Sequence, residues 1–110
     1  KLLRKKPSHE TNKIMRFNEL TINSTTHEIK INNELIHTNT TEFNLLNKIA
    51  NKPSWVFSRI QLIDAIRGDG YIVTDRIIDV IIVSLRKKLK DYGSYIQTIR
   101  GIGYRFKVPE

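Results

Sequence analysis

Four aliphatic residues, Ile78, Ile82, Leu85 and Leu89, recur at spacings of four, three and four. At 100° per residue they form one narrow stripe of an α-helix, and a stripe of that composition has to face a core. The helix they define starts near Thr74-Asp75 and runs over residues 75–90, with Arg76, Val80, Val83, Ser84 and Lys87 on its opposite face. After a break at Tyr92-Gly93-Ser94, two strands at 95–100 and 104–108 flank Gly101-Ile102-Gly103, a turn that calls for permissive glycines. The arms of that hairpin carry Arg100, Arg105 and Lys107. From Arg76 to Lys107, cations at 76, 86, 87, 88, 90, 100, 105 and 107 far outnumber the two acids, Asp79 and Asp91. A helix with one basic face followed by a basic hairpin can place one element in each groove of a duplex.

The preceding residues supply a scaffold. From Met15 to His37 short apolar bursts (Met15/Phe17, Leu20/Ile22, Ile29/Ile31, Leu35/Ile36) alternate with Asn- and Thr-rich turns, the pattern of an antiparallel meander. Asn39-Thr40-Thr41-Glu42 matches a capping box, opening a helix with Phe43, Leu46, Ile49 and Ala50 inward that ends before Pro53. Ser58-Arg59-Ile60-Gln61 opens a second helix, with Leu62, Ile63 and Ile66 inward and Gly68-Asp69-Gly70 as its stop. The predicted class is α+β: about four antiparallel strands, three helices, then a β-hairpin. Residues 1–14 are basic and polar and read as a linker, with 15–110 as the folded domain. A start without Met fits a fragment or a processed product.

A chain of 110 residues can bury one modest core. It has no cysteine, which excludes disulfides and thiolate chemistry. No apolar run reaches the roughly 18 residues of a membrane span, and no secretory signal pattern opens the chain. The net charge of +8 favours a polyanionic partner, but charge alone leaves nucleic acid, an anionic membrane and an acidic protein open. His9, His27 and His37 lack partners at metal-ligand spacing, so neither a metal nor a cofactor is expected. No Ser/His/Asp grouping and no nucleotide loop emerges, so no enzyme is expected. Arg67-Gly68-Asp69 spells an integrin-type tripeptide that reads as chance, and Trp55 is expected to pack at a short strand.

TEFNLL (41–46), VFSRIQLID (56–64), DRIIDVIIVSLRKKL (75–89) and TIRGIGYRF (98–106) together resemble the winged-helix effector domains of OmpR/PhoB-type bacterial response regulators. The resemblance implies a winged helix-turn-helix, cytoplasmic, that binds double-stranded DNA to regulate transcription. The helix at about 75–90 would enter the major groove and the wing at 96–108 would reach the adjacent minor groove. Carried over by position, Arg76, Ile81, Val83, Ser84 and Arg86 take the helix contacts and Thr98 and Arg100 the wing contacts. The chemistry of Arg86 and Lys87 suits phosphates or guanine edges. An upstream receiver domain is implied, with Lys1-Leu2-Leu3-Arg4-Lys5-Lys6 as the end of its last helix. So is pairing on direct-repeat half-sites by a domain that is monomeric in isolation. Arg67, Gly68, Asp69, Gly70 and Tyr71 resemble the loop that touches RNA polymerase in activating members, some of which carry Trp where this chain has Arg67.

Family members commonly place polar or basic residues where this chain has Ile81 and Val83. Apolar side chains there can touch a thymine methyl, which implies weaker hydrogen-bond readout; packing against a partner, or simple exposure, is the alternative. Two other functions fit parts of the chain. A winged helix can serve protein contacts, with Ile81 and Val83 as the adhesive surface. RGIGYRFKV (100–108) partly matches an RNA-binding strand motif, but fails at Ile102 and Arg105, and three consecutive helices break that fold's order.

Overall fold

The computed structural model describes residues 14–66 and 75–108. Four strands, β1 (Ile14–Phe17), β2 (Leu20–Asn23), β3 (Glu28–Ile31) and β4 (Glu34–Ile36), form an antiparallel meander in sequential order. Its turns are specified by residues that tolerate left-handed backbone. Asn32 and Asn33, both at positive φ (54° and 68°), form the two-residue loop that pairs Ile31 with Glu34. Leu20, Ile22 and Ile29 turn one face of this sheet into the core.

Helix α1 (Thr40–Ala50) begins with the expected capping box: the Asn39 side chain accepts from Glu42 N at 2.7 Å, and Glu42 Oε1 accepts from Asn39 N at 3.1 Å. It packs against α2, α3 and the C-terminal sheet, so its buried face is wider than expected and takes in Leu45. The second box also forms, with Gln61 Oε1 accepting from Ser58 N and Ser58 Oγ from Gln61 N, and opens α2 (Arg59–Ile66). Helix α3 spans Asp75–Leu89, and a 3₁₀ turn at Lys90–Tyr95 leads into β6 (Ile96–Ile99) and β7 (Gly103–Phe106).

The hairpin is more than two strands. Phe57–Ser58 forms a short β5 that pairs with β7, giving the order β5-β7-β6. Gly103 permits this: a Cβ there would lie 1.9 Å from the Phe57 carbonyl oxygen. Sequence signals for β5 are weak because two residues cannot display a period of two. Phe106 joins the sheets, its ring centroid 4.7 Å from that of Phe17 and 5.8 Å from that of Tyr95.

Trp55 departs from expectation. It is 61% exposed in the segment before β5, with Lys52 Nζ 4.8 Å from its ring centroid, because Phe57 takes the core position on that strand. The expected linker, apart from Ile14 in β1, lies outside the described residues, as do His9, the Gly68-Asp69-Gly70 stop and the loop at 67–71. Among the described residues no helix is long and apolar enough to cross a membrane.

Candidate nucleic-acid interface

Helix α3 presents four different faces. Ile78, Ile82, Leu85 and Leu89 are each 1% exposed or less and form the expected core stripe. Ile81 joins them. It is only 6% exposed, which corrects its expected place at a contact position. α3 packs against both α1 and α2, so its buried arc is about 100° wide and residue 81 falls at its edge.

Opposite that arc stand Arg76, Val80, Val83 and Lys87, all exposed and spaced four, three and four residues apart. Val80 is 56% exposed and Val83 55%. Val80 is not among the contact positions that the resemblance implies, although the helical spacing of Arg76 and Val83 already places it between them.

The two flanks tie the helix to its neighbours. On one, Ser84 Oγ donates to Glu42 Oε2 and Lys88 Nζ donates to Glu42 Oε1 at 2.7 Å. Glu42 is 4% exposed, and it holds the N-terminus of α1 while accepting both α3 donors. Burial raises its pKa, but the bonds from Lys88, Ser84 and the Asn39 backbone outweigh this, and the net shift is downward. The Ser84 hydroxyl is therefore turned into the protein rather than toward a groove.

On the other flank, the Arg86 guanidinium donates to the Ile96 carbonyl through Nη2 at 2.7 Å and Nε at 3.2 Å, and to Thr98 Oγ1 at 2.9 Å. The expected reader of bases or phosphates instead clamps α3 to β6, and it engages the expected wing contact Thr98. Two turns earlier, Asp79 Oδ1 accepts from the Tyr104 hydroxyl and from Arg59 Nε. The Tyr104 bond, then the Arg59 bond, hold the Asp79 carboxyl below its usual range. Burial, and then Asp79, push Tyr104 upward. Tyr104 is 5% exposed, so the aromatic of the partial RNA-binding motif is not available for stacking.

These clamps set the hairpin beside the outward arc of α3. Arg100 is exposed in the β6–β7 turn, which closes with Ile102 N donating to the Ile99 carbonyl at 2.9 Å and Gly101 at φ 81°. Arg105 is bonded along the wing, its Nε donating to Gln97 Oε1 at 2.8 Å. Arg76, Lys87 and Arg100 are thus the exposed cations among the expected contacts, while Ser84 and Arg86 direct their polar atoms inward. Among the described residues no group of three or more His, Asp or Glu is placed to hold a metal.

The model of the family described as "Transcriptional regulatory protein, C terminal" matches residues 32–106. The chain belongs to this family. It is 39% identical over 89 residues to the phosphate regulon transcriptional regulatory protein PhoB of Escherichia coli, covering 79% of this chain and 39% of PhoB. It is 35% identical over 97 residues to the heme response regulator HssR of Staphylococcus aureus, covering 86% of this chain and 43% of HssR. The chain thus spans less than half the length of the curated relatives it matches.

Solved structures agree. The DNA-binding domain of CpxR from E. coli superposes with a TM-score of 0.78 at 29% identity, covering 89% of this chain and 99% of that one. The Klebsiella pneumoniae RstA DNA-binding domain, solved in complex with the RstA box, gives 0.76 at 32% identity, covering 88% and 99%. The fold is the winged helix of OmpR/PhoB DNA-binding domains, with α3 as the third helix and β6–β7 as the wing.

Proposed function

We propose that this domain binds double-stranded DNA sequence-specifically, as the effector module of a two-component response regulator that controls transcription. Helix α3 enters the major groove through the arc Arg76, Val80, Val83 and Lys87, and the β6–β7 turn brings Arg100 to the adjacent minor groove. One observation carries this reading: the cationic arc of α3 faces solvent beside a wing braced to that same helix by Arg86. Of the solved structures of the same fold, the RstA domain is in complex with the RstA box and the AdeR DNA-binding domain with an intercistronic region. The domain acts by binding rather than by catalysis.

The roles follow from chemistry. Arg76 and Lys87 suit phosphates at either end of the helix, and Arg100 suits a narrow, electronegative minor groove. Thr98 and Arg86 hold the wing in position. An upstream receiver domain, pairing on direct-repeat half-sites by a domain monomeric in isolation, and an RNA polymerase contact through residues 67–71 complete the proposal. It places the protein in the bacterial cytoplasm, where its DNA is.

The test is duplex affinity against salt, together with Arg100→Ala. Binding should fall steeply with salt through counterion release. Arg100→Ala should weaken binding to a selected operator about tenfold, the scale of one lost groove contact, with the thermal midpoint almost unchanged. Equal affinity in that variant would remove Arg100 from the interface.

A further inference from the structure

The outward arc of α3 is unusual in its chemistry. Between the cations Arg76 and Lys87 stand only two valines, each more than half exposed. The neighbouring polar side chains are committed elsewhere: Ser84 to Glu42, Asp79 to Tyr104 and Arg59, Arg86 to Ile96 and Thr98. Among the described residues, the centre of the arc is therefore apolar. It offers isopropyl groups.

A base pair shows an apolar group in the major groove at one place, the C5-methyl of thymine. Val80 and Val83 are three residues apart, about 4.5 Å along the helix axis, close to the roughly 3.4 Å rise between base pairs. Two such side chains can address neighbouring steps. Arg76 and Lys87 lie about 16 Å apart along the axis, suitably placed to hold phosphates on either side of the steps being read.

We infer that Val80 and Val83 are the specificity-determining residues of the helix, and that they select thymine by its C5-methyl group. This rests on the DNA-binding reading and deepens it: discrimination at the centre of the half-site comes from methyl contact, not from bidentate hydrogen bonds. A corollary is that 5-methylcytosine, which puts a methyl at the same edge, substitutes for thymine better than cytosine does.

The experiment uses a duplex selected by this domain from random-sequence DNA, remade with deoxyuridine for thymidine at single major-groove positions. Removing a read methyl should weaken binding about fourfold, the worth of burying one such group. Placing 5-methylcytosine rather than cytosine at that position should recover part of the loss. In the double variant Val80→Ala, Val83→Ala the thymine and uracil duplexes should bind equally, with the circular dichroism spectrum unchanged because both side chains are exposed. If the unaltered domain binds both duplexes equally yet remains salt-dependent and sequence-selective, this inference fails while DNA binding stands. A thymine preference that persists in the double variant also overturns it. Absence of salt-dependent binding to any duplex defeats both.

Discussion

Removing the Glu42 carboxylate should be among the most damaging single changes outside the aliphatic core. Its side chain is 5% exposed and accepts from Lys88 Nζ at 2.7 Å, from Ser84 Oγ and from Asn39 N. In Glu42→Ala the reciprocal half of the capping box is lost, at about 1 kcal/mol. Two donors on α3 lose a charged acceptor, each bond being worth about 1.5–3 kcal/mol. Lys88 is 37% exposed, so its ammonium can turn to water and recover part of that loss. The expected net destabilisation is about 2–4 kcal/mol, or roughly 8–16 °C in midpoint for a domain of this size. Equilibrium urea unfolding followed by circular dichroism measures it. A loss under about 0.5 kcal/mol, ordinary for a surface site, would refute the view that Glu42 joins α1 to α3.

The pH dependence of the same site has a defined sign. The folded pKa of Glu42 lies below the usual 4.5, so its contribution is fully present above that value and fades as pH falls through the folded pKa. In Glu42→Gln, which keeps a capping oxygen but carries no charge, the loss of stability on acidification should be shallower than in the unaltered protein. An identical acid profile would mean the carboxylate is not held ionised by its partners.

Other outcomes follow from the wing and its supports. Arg86→Ala should cost about 1–3 kcal/mol, because the Ile96 carbonyl loses its partner, and should weaken DNA binding without changing the salt slope. Lys87→Ala should do the reverse, leaving stability unchanged and lowering the slope by about one; measuring both by fluorescence anisotropy over a salt series separates a positioning residue from a phosphate contact. Gly103→Ala should cost about 3 kcal/mol or abolish folding, since a Cβ 1.9 Å from the Phe57 oxygen forces β5 away from β7; near-native urea stability would contradict the close pairing. Tyr104, buried and bonded to Asp79, should ionise above the usual 10.0 in an absorbance titration, and Tyr104→Phe should remove that late phase.

Sequence by itself determined the meander, the three helices, the hairpin and the core stripe of α3. Periodicity placed the α3 stripe, reciprocal Ser/Asn and Glu/Gln pairs marked two helix starts, and paired asparagines marked a turn, because each of these is a local property of the chain. It also placed Arg76, Val83 and Lys87 outside, since a helix with one buried stripe has a definite opposite side. What lay between those faces was decided only in three dimensions. Ile81 is buried because two helices, not one, press on α3. Ser84 and Arg86 turn inward because Glu42 lies 42 residues before Ser84 and the Ile96 carbonyl 10 residues after Arg86. The two-residue β5 exists only because β7 runs beside it. A helix flank takes its role from whatever packs against it, and that neighbour is set by the fold rather than by the residues adjoining it in the chain.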